Sequence, residues 1–488
     1  MNLREVVTKV LGSMKSPGPC IPLSSKKIRF LYQPCQFFET LRKGIQNSKR
    51  RITLASLYLG DGPMETILVT DLCNAARRGI KINVLLDFFR GTRGLVNSAS
   101  LLAPLTAFQK VNVRFFRTPE MSTTLMKLLP FRVNEVIGLQ HMKIYSFDDD
   151  LLLTGANLSQ SYFTARKDRY ILFVKHPQLN NFYTELVELV MSISFRLSIA
   201  RCGFLSTVPG KYFLRAATYY RHGNYTAGLV KWELLPPQGS LGGSSVLSLH
   251  IHYFVIHQKS LEHSLESCKD SDSVALPLLQ TKALGISQDY EALTTMFSLL
   301  SPYSSVVLST AYFNLPEELQ TLLIRSPACT AVVTAAPQAN SFHESGGLSS
   351  WIPLIYSSLL KGFYQKTLTS CGRVKLYEYF AEKTTFHCKV LQNSAFLLLV
   401  NIPAKGFWAE LGSGNPIAIS FIGSSNYGHR SIHRDLEAQL LMITKNPKLQ
   451  RSLKKVPFFP VRVRGFVSVN CFYCAGEKTP FPKYHASR

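Results

Sequence analysis

No stretch of this chain approaches the roughly 18 to 20 consecutive apolar residues that a membrane-spanning helix needs. The run Ala395 to Val400, for example, is far too short, so any contact with a membrane is expected to be peripheral. Cysteines are scattered: of ten, only Cys471 and Cys474 stand close, and neither a second pair nor a His-x3-His follows. That spacing excludes a disulfide framework and gives no zinc signature, and it fits a reducing compartment. Acidic residues are scarce, 30 Asp and Glu against 55 Lys and Arg, which leaves a net charge of +25. Such an excess points to polyanionic partners, either nucleic acid or the anionic surface of a membrane, and charge alone does not choose between them. With 46% apolar and 17% charged residues over 488 positions, the chain is globular and long enough for two or three domains.

What is present is concentrated in Gly138 to Tyr170. Here His141, Lys143 and Asp148 form an H-x-K-x4-D pattern, followed by Gly155-Ala-Asn157. Alternation predicts a strand through Tyr145, a turn at Asp148 to Asp150 and a second strand at Leu151 to Thr154. On a strand His141 and Lys143 share a face. An imidazole beside an ammonium suits a phosphate, one group attacking or protonating while the other neutralises oxygen charge. Asp148 is expected to hold the imidazole in one tautomer, and the Asn157 amide to bind a non-bridging oxygen. A single H-x-K on a strand is more often a solvated basic face. A second copy shifts that balance: His387 and Lys389 in FHCK, then Gly423-Ser-Ser-Asn426.

The order of elements also repeats. Ser304 to Phe313 parallels Arg51 to Leu59, Thr330 to Ala335 parallels Ile80 to Phe88, and Arg373 to Tyr379 parallels Val111 to Phe116. Strands alternating with helices predict an α/β architecture built twice, with lobe 1 over 28–197 and lobe 2 over 273–455. Residues 198–272 are poorer in pattern and contain Pro236-Pro-Gln-Gly-Ser-Leu-Gly-Gly-Ser-Ser245, a linker composition. Residues 1–27 have the basic, amphipathic character of either a mitochondrial presequence or an ordinary N-terminal helix.

Two motifs of this kind in one chain resemble the phospholipase D superfamily, whose paired lobes each supply one histidine to a site between them. The segments SLYLGDGP, LLDFFRGTRG, GLQHMKIYSFD, TGANLSQSYFTARKDRY, AYFNLP and GHRSIHRDLEAQ narrow the resemblance to the mitochondrial-type phosphatidylglycerophosphate synthases. The resemblance implies two lobes, each a sheet flanked by helices. It also implies transfer of a phosphatidyl group from CDP-diacylglycerol to glycerol 3-phosphate with release of CMP, in the pathway to phosphatidylglycerol and cardiolipin. It places the enzyme on the mitochondrial inner membrane, against an anionic lipid surface, with no nucleic acid partner. Catalytic roles fall on His141, Lys143, Asp148, His387 and Lys389, with His141 as nucleophile and His387 as acid and base. Asn157, Asn426 and Ser424 would bind the phosphate, and Asp168, Asp435 or Glu437 would hold the opposing histidine. Neither metal nor cofactor is implied.

Residues 390–405, sixteen in number, separate Lys389 from Gly406-Phe-Trp408, where the resemblance expects continuity. They read either as a hairpin extension or as an in-frame retained intron; the tail 456–488 is equally atypical. Met121 to Phe131 and Arg90-Gly-Thr-Arg-Gly94 are candidates for membrane and phosphate contact, against a buried segment and a solvated loop. The rival functions are a phospholipase-D-type hydrolase or nuclease using the same residues, and a catalytically impaired membrane-binding homologue.

Overall fold

A computed structural model describes residues 2–94, 96–118, 138–166, 168–199, 271–337, 351–368, 373–380, 406–412 and 416–454. It also describes Glu266, Cys268 and short strands between 212 and 235 and at 462–465. His387, Lys389, the insertion 390–405, Met121 to Phe131 and the Cys471–Cys474 pair lie outside these residues.

Among the described residues, two ten-stranded sheets carry the fold. The strands of the first are β1 (Ile28–Leu31), β2 (Arg51–Ala55), β3 (Lys81–Asp87), β4 (Val111–Phe116), β5 (Ile144–Phe147), β6 (Asp150–Thr154), β7 (Tyr170–Phe173), β8 (Phe195–Ile199), β9 (Tyr212–Ala216) and β10 (Val230–Leu235). Those of the second are β11 (Ser273–Thr281), β12 (Ser305–Thr310), β13 (Cys329–Ala335), β14 (Val374–Phe380), β15 (Gly406–Leu411), β16 (Ile417–Gly423), β17 (Glu437–Thr444) and β18 (Arg462–Gly465), with the short pieces Ile21–Pro22 and Ile286–Ser287 paired to β11. From one edge inward, the first sheet runs β1-β7-β6-β5-β2-β3-β4 and the second β11-β17-β16-β15-β12-β13-β14. These are one topology built twice. Within each, the β2-β3-β4 and β12-β13-β14 trios are parallel and the remaining pairs along these paths antiparallel.

Helices α1 (Leu3–Gly12), α2 (Pro34–Asn47), α3 (Pro63–Arg77), α4 (Pro177–Ser192), α5 (Gln288–Ser298), α6 (Glu317–Arg325) and α7 (Ile352–Thr367) cover the sheets. Phe37, Leu41 and Ile45 recur every fourth residue on α2 and form the buried stripe that docks it, and Pro34 opens the helix where its missing N–H costs nothing. Three cores result. One lies between the first sheet and α2 and α3, a second between the second sheet and α1, α5, α6 and α7. The third joins the lobes, with Ala55, Met142, Ile144 and Leu153 from one side and Ala418, Ile422, Leu436 and Leu440 from the other. All eight residues of β17 are buried, because the strand has its own helices on one face and the other lobe on the opposite face.

Three segments pack in places that their own sequence does not indicate. Residues 3–12 form a helix whose Leu3, Val6, Val7, Val10 and Leu11 fill the lobe 2 core, so this segment packs with the second lobe although it precedes the first. The 198–272 stretch contributes β9 and β10, which extend the first sheet through β8. The atypical tail contributes β18, antiparallel to β14 at the matching edge of the second sheet, where β8 pairs with β4 in the first. Linker-like composition did not prevent backbone pairing, since an exposed sheet edge accepts any extended chain.

Val6 is fully buried. Placing a carboxylate there (Val6→Asp) should lower the unfolding free energy by about 3 kcal/mol or more in urea melts. A change within about 0.5 kcal/mol would show that α1 is not part of the folded core.

Candidate active site

The site forms where the first lobe's motif loop runs beside the start of β17. Three successive backbone amides of that loop are each held. Leu139 donates to Asp435 Oδ1 at 3.0 Å, Gln140 to Asp87 Oδ2 at 3.0 Å, and His141 to the Leu436 carbonyl at 2.9 Å. Leu436 donates back to the Leu139 carbonyl at 2.8 Å, so the two lobes share a short parallel bridge beside His141. Gly138 makes this approach feasible. Its φ is +159°, and a Cβ there would stand 2.6 Å from the Arg434 carbonyl oxygen.

The bridge brings Glu437 onto the ring of His141. Both carboxylate oxygens lie at 2.9 and 3.0 Å from Nδ1, and Glu437 also accepts from the Ser424 hydroxyl. Lys143, almost fully buried, donates to the His141 carbonyl at 2.6 Å. Burial opposes the charge on Glu437, but the adjacent His141 and Lys143 outweigh it and hold the carboxyl below the usual range. Burial likewise disfavours a charged His141; Glu437 opposes that effect, Lys143 adds to it, and the imidazole stays below its ordinary value. The consistent state is an ionised Glu437 accepting Nδ1–H from a neutral ring, which leaves Nε2 as the nitrogen with a free lone pair. That is the tautomer a nucleophile or base requires.

Asp148 is not the residue that orients His141. The four-residue strand β5 and the loop before it separate the two by roughly 20 Å of extended chain. Asp148 instead sits in the β5–β6 turn at φ 52°, where its carboxylate accepts the backbone amides of Lys49, Arg50 and Arg51 at 2.9, 2.8 and 3.1 Å. Burial raises its pKa, and these three donors more than reverse that. Ser424, expected on phosphate, points its hydroxyl at Glu437 and receives the Ala438 amide at 3.1 Å. Asn157 donates to Tyr162 at 3.1 Å, while Asn426 donates its backbone amide to Ser431 and accepts from Thr310. Among the described residues, the buried side-chain carbonyls of both asparagines have no hydrogen-bond partner.

Strand register identifies the counterparts across the duplication. Thr154 pairs with Tyr170 as Gly423 pairs with Gln439, which puts Asp168 at the position of Glu437. Ala55 pairs with Ile144 as Ser309 pairs with Gly406, which puts Gly406 at the position of Ile144. Lys143 directly precedes Ile144, whereas Lys389 precedes Gly406 by seventeen positions because of the insertion.

Several residues of the site were not singled out from sequence, although each lies in a segment quoted for the resemblance. Asp87 braces the motif loop. Arg430 pairs with Asp435 at 2.9 Å. Buried Arg169 crosses from the first lobe to lie 4.6 Å over the Trp408 ring and donate to the Phe421 carbonyl, which gives the Gly-Phe-Trp sequence a structural role. Their spacing carries no chemical signature, and only the folded chain shows what they touch. His141, Asp435 and Glu437 are also close enough to ligate one cation. Nδ1 is committed to Glu437, however, and Asp435 Oδ1 already accepts Arg430 and the Leu139 amide, so the set is arranged for hydrogen bonding rather than for metal.

A duplicated sheet with a histidine of one lobe braced by a carboxylate of the other defines a phospholipase-D-like protein, and comparison supports that class. The family model described as "Cardiolipin synthase, PLD-like domain" matches residues 41–189. The solved phosphatidylserine synthase of Haemophilus influenzae superposes with a TM-score of 0.60 over 93% of this chain and 89% of its own, at 16% identity, a likeness of fold. The chain is 33% identical over 473 residues to the mitochondrial CDP-diacylglycerol–glycerol-3-phosphate 3-phosphatidyltransferase of Bos taurus, covering 93% of this chain and 80% of that protein. It is 32% identical over 496 residues to the Saccharomyces cerevisiae enzyme of that name, covering 93% and 85%. The chain belongs to the CDP-diacylglycerol–glycerol-3-phosphate 3-phosphatidyltransferase family.

Two carboxylates therefore separate by experiment. Asp148→Ala should lower stability by about 1 to 3 kcal/mol, because three backbone donors lose their acceptor, yet leave the Nδ1–H tautomer of His141 in ¹⁵N NMR unchanged. Glu437→Gln should lower kcat by on the order of 10³ to 10⁴. Equal effects of the two on the tautomer would contradict the assignment.

Proposed function

We propose that this protein transfers the phosphatidyl group of CDP-diacylglycerol to glycerol 3-phosphate, giving phosphatidylglycerophosphate and CMP, on the pathway to phosphatidylglycerol and cardiolipin. The contact of His141 Nδ1 with Glu437, which leaves Nε2 to attack, is the observation that carries the reading. Nε2 attacks the diacylglycerol-bearing phosphorus, the bond from phosphorus to the CMP oxygen breaks, and His387 protonates that oxygen. His387 then takes the proton of the glycerol hydroxyl as this oxygen displaces Nε2 and regenerates His141. Lys143, Lys389, Asn157 and Asn426 meet the charge on the phosphoryl oxygens. Asp168, the register counterpart of Glu437, would brace His387 as Glu437 braces His141. The reaction takes place on the mitochondrial inner membrane; the name of the Bos taurus relative supports the mitochondrion.

One observation favours a second reading, a catalytically impaired homologue. With residues 390–405 in place, the His-x-Lys motif of the second lobe is set sixteen residues further from its strand than that of the first. A chain without them restores the spacing: His387 would precede Gly406 by three positions, as His141 precedes Ile144.

CMP release measured with and without glycerol 3-phosphate separates transfer from hydrolysis, and cleavage of DNA faster than phosphatidyl transfer would contradict the proposal. On the impaired reading, deleting 390–405 should raise CMP release by about 10²-fold or more, the contribution of a positioned general acid. Equal rates would remove the impaired reading.

The acid limb of kcat/KM should lie below pH 6.5, because His141 must be unprotonated to attack and its pKa is depressed from 6.5. Activity should therefore persist as pH falls through 6.5 and be lost only at lower pH. An acid limb above 6.5 would be inconsistent with His141 as nucleophile.

A further inference from the structure

The second lobe exposes an apolar helix face beside the site. Among the described residues, eight large hydrophobic side chains are exposed, and five of them, Trp351, Leu354, Ile355, Leu359 and Leu368, lie in or at the ends of α7. Trp351 precedes the first turn, and Leu354, Ile355 and Leu359 follow at three, four and eight residues, one continuous side of a helix. Isolated exposed hydrophobics need no explanation, but a row of four does. The opposite side of α7 is anchored by Pro353, Leu360, Phe363 and Thr367, with Phe363 packed on Phe313 at 5.2 Å.

Charge names the occupant. From Trp351 to Lys375 the chain has Lys361, Lys366, Arg373 and Lys375 and no acidic residue, within a protein of net charge +25, although Lys366 pairs with Glu317 of α6 at 3.3 Å. A tryptophan at one end, apolar residues in the first two turns and lysines in the next are the ingredients of a helix lying in the plane of an anionic bilayer. At sixteen residues α7 is not a span, and no described helix is long and apolar enough to cross a membrane.

Position ties the face to catalysis. Tyr356, on the inner side of α7, packs against Tyr312 at 5.6 Å, and Thr310 donates to the carbonyls of both Tyr312 and Asn426. Arg430 pairs with the Asp435 that holds the motif loop of His141. A bilayer seated on Trp351, Leu354, Ile355 and Leu359 would thus meet the helix whose inner side reaches Asn426 through Tyr356, Tyr312 and Thr310.

We propose that the outer face of α7 is the surface by which the enzyme docks on an anionic phospholipid bilayer and draws its lipid substrate from it. The lipid-substrate part rests on the function proposed above; the docking itself does not. The test uses the full chain and vesicles of phosphatidylcholine, with or without an anionic phospholipid, and no CDP-diacylglycerol. The combined variant Trp351→Ser, Leu354→Ser, Ile355→Ser should lose vesicle binding in flotation by about tenfold or more, with an unchanged melting curve. It should also retain phosphatidyl transfer on detergent-dispersed substrate. Should the variant not fold, the parent protein supplies a second measurement: vesicles with brominated acyl chains should quench Trp351, identified by the loss of that signal in Trp351→Phe. Unchanged flotation, absent quenching, or a variant that loses self-association while still floating would each overturn the proposal, the last by making the face a protein contact. Normal docking without phosphatidyl transfer would instead count against the function alone.

Discussion

A buried carboxylate from one lobe, pressed on the imidazole of the other, is the constraint around which this molecule is arranged. Glu437 has no exposed surface, and an ionised carboxylate is tolerated there only because His141, Lys143 and Ser424 surround it. Each partner needs the other lobe in place. Separating the lobes would leave Glu437 in an apolar seam without its imidazole and His141 without its tautomer. The apolar core between the two sheets therefore does more than stabilise the fold; it holds one acid–histidine contact to hydrogen-bond tolerance.

The backbone around that contact is equally constrained. The motif loop has three consecutive amides bound by Asp435, Asp87 and the Leu436 carbonyl, so His141 is placed by main-chain bonds before its side chain makes any. Arg169 and Trp408 form a second crossing between the lobes, and Arg430 pairs with the Asp435 that holds the motif loop. Preorganisation of this kind leaves little to rearrange as charge develops on a phosphoryl group.

The duplication was legible in the sequence because repeated strands keep their apolar pattern and because His-x-Lys recurs, followed in each lobe by a glycine and an asparagine close together. The strand orders match lobe for lobe, as that repetition predicted. Asp148 was misplaced for a physical reason: proximity along a chain favours a residue seven positions away, but an extended strand carries it to the far end of the sheet. There it stabilises a turn through the amides of residues 49–51. Glu437 was among the candidates for the opposing histidine, and only the bridge between Gln140 and Leu436 distinguishes it from Asp435, which braces the loop instead. Segments without periodicity, such as β9, β10 and β18, were unreadable because edge pairing depends on backbone hydrogen bonds rather than on side-chain pattern.

By itself, then, the sequence determined the two-lobed α/β plan and the phosphate-directed chemistry, since apolar periodicity and the residue types of a motif are local properties. Which carboxylate meets which ring, where the first helix packs, and which helix face remains open to solvent were decided only by the tertiary structure. Each depends on the register at which two sheets far apart in the chain come into contact, and no local pattern encodes that distance.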